Sequence, residues 1–362
     1  MKNTFGQNIT VTLFGESHGA AIGAVIDGLT PGLPVSEERI AAELSRRRPR
    51  AGVDTPRVEA DNFSIVSGVF NGKATGTPLC IIIPNENTKS GDYTYGIARP
   101  SHADYAAFCK YHGFEDFRGG GHFSGRITAA LCAVGGILLP ALENLGIKIG
   151  THILECAGVR DSGFSDHEKE IAALYSAPFP TISESSGEKM LEKILEAKRA
   201  ADSIGGITQT AVTGVPSGLG EPWFDSVEGV ISHAVFSLGG IKGIEFGKGF
   251  SFADGFGSEL NDAFYAENGK VFTKTNSNGG INGGITNGMP IVFSCAVKPT
   301  PSIGKPQSTV DFTKAENTEV TVSGRHDPAI IRRICPVIDS VCAIVIADLI
   351  ASRFGTDALG GI

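Results

Sequence analysis

The sequence predicts an α+β fold in one large domain, on three observations. Apolar runs of strand length cluster between helical stretches, without the regular βα alternation that a parallel sheet would show. No linker rich in Pro, Ser or charge cuts the chain, and no internal repeat is strong enough to divide it. The 362 residues are 41% hydrophobic, ample for a sizeable core.

Taken in order, Ile9–Phe14 and Ala21–Asp27 read as strands. Ser36 can cap a helix running to about Arg48, with Glu37 and Glu38 in its first turn and three arginines at its end, as the helix dipole favours. Ser64–Phe70 and Pro78–Ile83 are again strand-like. Ser124 to Leu145 is apolar nearly throughout and predicts a central helix, followed by a strand over Ile147–Leu154. Glu188–Ala201 is amphipathic, with Met190, Leu191, Ile194 and Leu195 on one side. Strands follow over Ile207–Val215, Ile241–Phe246, Pro290–Val297 and Thr318–Val322. Pro328–Phe354 predicts a long apolar helix, kinked or restarted near Pro336.

Composition narrows the function classes. A net charge of -8 argues against a general nucleic-acid binder, so an anionic substrate would need a local cluster of positive charge. No apolar run free of charge reaches the roughly 20 residues of a membrane helix; the longest, Ile338–Ile350, holds Asp339 and Asp348 and reads as buried. Met1–Gly6 lacks a signal-peptide pattern, which predicts a cytoplasmic protein. Seven scattered cysteines without a close pair predict buried, reduced thiols, not a disulfide frame or a zinc site. The 48 glycines come in short bursts, suited to sharp turns or close approach to a ligand.

Six segments could carry chemistry. Phe14-Gly15-Glu16-Ser17-His18-Gly19 ends a strand, and its imidazole either exchanges a proton in a cleft or is satisfied by loop carbonyls. Arg46-Arg47-Arg48-Pro49-Arg50 either forks onto carboxylates and phosphates or is a solvated helix end. In Arg99-Pro100-Ser101-His102-Ala103-Asp104, Ser101 or Asp104 could simply cap the next helix. Arg118-Gly119-Gly120-Gly121-His122-Phe123-Ser124-Gly125-Arg126 feeds the central helix as an anion cradle, without the ending of a Walker A loop or the GxGxxG spacing. The fifth group is Asn276–Gly284 with Lys298–Ser302. The last is Ser323-Gly324-Arg325-His326-Asp327-Pro328, where Asp327 could be a helix cap.

Together and in this order, these segments resemble chorismate synthase over nearly the whole chain. The stretches are FGESHG, RRRP, RPSHADY, RGGG with Ser124 and Arg126, GVPSGLGEP, KGIEFGKGF, NGGINGG, KPT and GRHDP. The resemblance implies a β-α-β sandwich, a homotetramer, and anti 1,4-elimination of phosphate from 5-enolpyruvylshikimate 3-phosphate with reduced FMN. It also implies roles. His18 would protonate the departing phosphate, His102 would supply a proton to the reduced flavin, and Asp327 would assist deprotonation at the flavin nitrogen. Arg47, Arg99, Arg126 and Arg325 would hold the carboxylates and phosphate. Flavin contacts would fall to Arg47, His122, Phe123, Ser124, Gly239, Gly240, Gly283, Lys298, Pro299, Thr300, Pro301, Ser302 and Arg325.

The chain departs from the family's RGGGRSSARE pattern at His122, Phe123, Gly125 and Ile127, and has Gly239-Gly240 where Asn-Ala is common. No added reductase domain is visible, so an external flavin reductase is expected and not a built-in NADPH activity. The substrate carries about four negative charges near neutral pH, which calls for several arginines despite the acidic chain. An FMN oxidoreductase with net electron transfer would instead consume NADPH without releasing phosphate. A non-catalytic flavin- or anion-binding module would not need two histidines and an aspartate in separate glycine-bounded loops.

Overall fold

The computed structural model describes residues 2–50, 52–55, 60–86, 94–322 and 327–361. The first half runs β1 (Thr4–Phe5), β2 (Thr10–Gly15), β3 (Ala21–Asp27), α1 (Glu37–Arg47), β4 (Ser64–Ser67), β5 (Val69–Phe70), β6 (Lys73–Ala74), β7 (Leu79–Pro84), α2 (Asp104–Tyr111) and α3 (Thr128–Asn144). Next come β8 (Lys148–Cys156), β9 (Val159–Arg160), α4 (His167–Ser176), α5 (Glu184–Arg199), β10 (Gly206–Thr213), α6 (Val227–Val235), β11 (Ile241–Phe246) and α7 (Gly257–Leu260). The chain closes with β12 (Phe264–Glu267), β13 (Lys270–Thr273), β14 (Ile281–Asn282), β15 (Ile285–Thr286), β16 (Ile291–Val297), β17 (Gln307–Asp311), β18 (Glu316–Val320) and α8 (Ile331–Phe354).

Two antiparallel five-stranded sheets, ordered β1-β2-β3-β7-β4 and β11-β16-β10-β8-β9, form the outer layers. Between them α3 packs on β3 and β7, α8 packs on β8 and β10, and the two helices pack on each other and on α1. This is a sheet–helix–sheet sandwich of the α+β class. Its core joins Ile22, Ile26, Ile81 and Ile83 of one sheet through Ile137, Leu138, Ile338 and Val341 to Ile153, Phe293 and Cys295 of the other.

Local chemistry accounts for the middle layer. Ser36 caps α1, its hydroxyl accepting from the Arg39 amide at 3.2 Å, with Glu37 and Glu38 at the start and Arg46 and Arg47 in the last turn. In α3, Gly135 and Gly136 let two helices approach at once. A methyl on Gly135 would lie 2.2 Å from Ser340 Oγ of α8, and one on Gly136 would lie 2.5 Å from Ile40 Cα of α1. Two helices, Gly125–Asn144 and Ile331–Phe354, are long and apolar enough to cross a membrane by composition, but 83% and 94% of those windows are buried inside the fold. The two acids of α8 have fixed partners. Asp348 accepts from the amides of Gln7, Asn8 and Ile9 at 2.7–2.9 Å, and Asp339 pairs with Arg46 at 2.8 Å.

Three expectations are corrected. Helix α8 runs unbroken through Pro336. The carbonyl opposed by that proline belongs to Arg332, and the helix continues without the one ladder bond that the proline cannot donate to it. The run Ser64–Phe70 is split at Gly68, whose φ of +84° follows the approach of the Leu79 backbone. The central helix proper starts at Thr128, after a short 3₁₀ turn over Gly125–Ile127 that Ser124 caps.

Candidate active site

The predicted residues gather where the loops after β2 and β7, the C-terminus of α1 and the N-termini of α3 and α8 meet. Both long helices direct their positive dipole ends there, a setting that favours anions.

The glycine run is the centre of the first cluster. Gly119 and Gly120 take left-handed φ of +61° and +82°. A methyl on Gly119 would meet His18 Cδ2 and Nε2 at 2.5 Å, and one on Gly120 would meet His102 Cε1 and Nε2 at 3.1 and 3.3 Å. The two histidines, 84 residues apart, therefore flank one glycine strip. The strip docks on the end of β2 through Ser17 N donating to Gly121 O at 3.0 Å and His122 Nδ1 against Gly15 O at 2.7 Å. The glycines are needed because nothing larger fits between two imidazoles.

His102 is fixed by a carboxylate. Its Nδ1 lies 2.7 Å from Asp104 Oδ1, and Arg99 forks onto the same carboxylate through Nε and Nη2 at 2.8 and 2.7 Å. Burial works against the Asp104 charge, but the Arg99 and His102 hydrogen bonds outweigh it and hold its pKa below the usual carboxylate range. Helix α2 has no side-chain cap, so Ser101 and Asp104 are not its caps. Arg99 thereby serves Asp104 and His102 as well as facing a cleft of about 310 Å³, lined also by Gly120, Phe123, Tyr95 and Phe312.

The second cluster is an arginine wall. Arg47 is 3% exposed and donates from Nε to Thr128 Oγ1 at 2.8 Å and from Nη2 to Gly125 O at 2.7 Å. Arg126 is 5% exposed and pairs with buried Asp61, with Nε on Asn85 Oδ1 at 3.1 Å and Nη2 on Pro84 O at 3.2 Å. Asp327 does not cap α8, whose N-cap is Ile330. It accepts from Thr55 N at 3.0 Å and pairs with Arg333, whose Nε also reaches Arg47 O at 3.1 Å. Arg332 closes the wall on Asp54 and the Arg48 carbonyl. Arg325 lies outside the described residues.

The third cluster joins the remaining flavin candidates. Lys298 N donates to Gly240 O at 2.9 Å and Lys298 Nζ to Ser101 O at 2.6 Å, which sets Gly239-Gly240 and the Lys298–Ser302 segment beside the His102 loop. Burial, with Lys242 nearby, lowers the Lys298 pKa. Among the described residues Thr300 Oγ1 is buried without a hydrogen-bond partner, and a Cβ on Gly239 would meet no atom within 4 Å. Phe123 is 43% exposed, and Ser124 caps the 3₁₀ turn. Gly283 lies with Gly284 in a hairpin turn between β14 and β15 at φ of +60° and +87°. Two left-handed central residues are what such a turn demands.

Sequence reasoning missed Asn85, Asp104 as an orienter, Asp61, Arg332 and Arg333. Arg332-Arg333 opening an apolar helix was the one signal that could have found the last two. Among the described residues no group of His, Cys, Asp and Glu could hold a metal ion.

Comparisons with known proteins span nearly the whole chain. A family model described as chorismate synthase matches residues 9–351. A chorismate synthase of Korarchaeum cryptofilum is 45% identical over 348 residues, covering 95% of this chain and 96% of its own. One of Methanosarcina mazei is 45% identical over 349 residues, covering 96% and 95%. One of Pyrococcus abyssi is 43% identical over 351, covering 96% and 97%. A crystal structure of chorismate synthase superposes with a TM-score of 0.73 at 30% identity, over 97% of this chain and 94% of that one.

Proposed function

The chain belongs to the chorismate synthase family, and from that premise we propose which of its residues carry the reaction. It is a lyase that eliminates phosphate from 5-enolpyruvylshikimate 3-phosphate to give chorismate, in aromatic amino-acid biosynthesis, with a flavin cofactor.

His18 is the acid that protonates the departing phosphate. Arg47 and Arg126, with Arg99 and Arg325, offset the substrate's carboxylates and phosphate. The burial of Arg47 and Arg126 makes those two charges count for more than they would in water. His102 Nδ1 lies 2.7 Å from Asp104 Oδ1 and 3.0 Å from Arg99 Nη2, contacts that orient the ring and leave Nε2 as the proton carrier on the flavin side. Asp327, held by Arg333, assists removal of the substrate hydrogen at the flavin nitrogen. The observation that carries this reading is the strip Gly119-Gly120 with His18 on one side and His102 on the other.

The cofactor form is reduced FMN. The residues present suit it: open space over Gly239, a buried unpartnered Thr300 hydroxyl, and a cationic Lys298 beside His102. His122, Phe123, Ser124, Gly283 and Pro299 through Ser302 complete the proposed contacts. The chemistry reduced FMN supplies when bound is transient electron donation, returned within each turnover. The protein's share is orientation and charge. The reading extends to a cytoplasmic homotetramer of single-domain subunits, fed by a separate flavin reductase and using neither nucleic acid nor membrane.

The deciding experiment is an anaerobic phosphate-release assay with 5-enolpyruvylshikimate 3-phosphate and photoreduced FMN. Phosphate should appear only with reduced FMN, and without stoichiometric loss of reductant. Equal amounts of reductant consumed and product formed would overturn the reading in favour of an oxidoreductase.

A further inference from the structure

Asn85 immediately follows β7, 41 residues before Arg126 and 66 after Gly19. Its side chain makes three hydrogen bonds. Nδ2 donates to Glu16 O and to Gly19 O, both at 2.9 Å, and Oδ1 accepts from Arg126 Nε at 3.1 Å. Its own amide donates to Ala20 O at 3.1 Å. Only one amide orientation satisfies these partners, because the two carbonyls can only accept and the guanidinium can only donate.

The two carbonyls are the ends of the tetrapeptide that carries His18. Gly19 N closes that loop on Glu16 O at 3.1 Å, Gly121 O holds Ser17 N from the glycine strip, and Asn85 clamps both ends from the opposite side. Arg126, the other partner, is locked on buried Asp61. One side chain therefore joins the loop of the proposed acid to a buried, ion-paired arginine of the wall.

We infer that Asn85 is a positioning residue, whose amide holds the His18 loop in register with Arg126 so that the acid and an anion-holding charge keep a fixed separation. The inference rests on the roles proposed above for His18 and Arg126. Asn85 itself neither carries the proton nor touches the reacting atoms. Its effect on rate passes through His18, and a displacement of about 1 Å at such a group costs on the order of 10²-fold.

The test uses Asn85→Asp and Asn85→Ala, alone and combined with His18→Ala, in the anaerobic phosphate-release assay, with thermal unfolding of each variant. Asn85→Asp is nearly isosteric and keeps an acceptor for Arg126 while losing both donations to the His18 loop, so it is expected to stay folded. Both Asn85 variants should lower kcat about 10- to 100-fold, with KM changed much less in Asn85→Asp than kcat. In the His18→Ala background the same changes should cost less than about threefold more, because the acid they misplace is already gone. A purely structural role would multiply through both backgrounds, and that outcome overturns the inference. So does Asn85→Asp turning over within about twofold of the parent. Normal turnover of His18→Ala alone would overturn the acid assignment and the inference with it, whereas a slow His18→Ala beside fast Asn85 variants would overturn only the latter.

Discussion

Gly119 shows how tightly one residue can be constrained by what stands beside it. Any side chain there would overlap the His18 ring at 2.5 Å, and a left-handed φ costs an L residue roughly 1–2 kcal/mol in addition. Gly119→Ala should therefore displace the imidazole, lowering turnover by about 10²-fold while unfolding shifts by only a few degrees. Gly125→Ala, where an added methyl meets nothing within 4 Å, is the control that should keep its rate. Equal rates in the two variants would remove His18 from the chemistry. A second residue-scale case is Asp339, buried beside Glu43 and ion-paired with Arg46. Burial pushes its pKa up from 3.8 to about 6, although Arg46 opposes the shift. The folded state then binds more protons than the unfolded one between about pH 4 and pH 6. Stability from this group is full below that window and lost as pH rises through it, by about 3 kcal/mol. Asp339→Asn removes the titration, so its stability relative to the parent should improve from pH 4.5 to pH 7 in thermal unfolding scans. A constant difference across that range would mean that Asp339 titrates normally.

Among the elements, the longer strands of the two sheets were legible because each apolar run has its own boundaries, whereas the two-residue edge strands β1 and β9 were not. The run Ala21–Asp27 is β3 itself, and Ile241–Phe246 is β11. The helices that escaped, α4, α6 and α7, are short; α4 is buried by the sheet at β8 and β10 and α6 mainly by α8, so neither depends on its own periodicity alone. Helix α3 was legible as apolar, but its two glycines read as weak points until the flanking helices are in place. Glycine in mid-helix costs about 1 kcal/mol against alanine, so Gly135→Ala and Gly136→Ala would each stabilise an isolated helix. In the fold they should do the reverse. At Gly136 the obstacle is the α1 backbone at Ile40, which cannot rotate away, so Gly136→Ala should destabilise by about 1–3 kcal/mol. At Gly135 the obstacle is the Ser340 hydroxyl, and adding Ser340→Ala should restore part of the loss. Denaturant unfolding of the single and double variants measures both. A Gly136→Ala protein as stable as the parent would mean that α1 and α3 have room to part.

At the scale of the molecule, the site was legible in pieces and its assembly was not. His18 announces itself by its glycine bracket and the arginines by charge density, which are local properties, while His102 stands in a proline-led run ahead of a helix. Asn85 and Asp104 look ordinary in the chain, because their meaning lies in contacts that cross from one loop to another. What the sandwich leaves outside is also informative. Half of the large exposed hydrophobic side chains among the described residues fall within residues 223–271, including Trp223, Phe224, Phe250, Phe256, Phe264 and Tyr265. Hairpin β12–β13 is exposed along nearly its whole length, yet its base is fixed by Asp262, which accepts from Thr275, Ser277 and Asn278. A rigid projection carrying exposed aromatics is unfavourable in water and suits burial against another copy of the chain. If the homotetramer proposed above is built there, Phe250→Ser with Phe264→Ser should yield smaller species in sedimentation at micromolar concentration. Helical content and subunit unfolding should be little changed, since neither side chain enters the core. A tetramer that survives the double substitution would move the interface to another face, and a parent protein that sediments as a monomer would remove the tetramer itself.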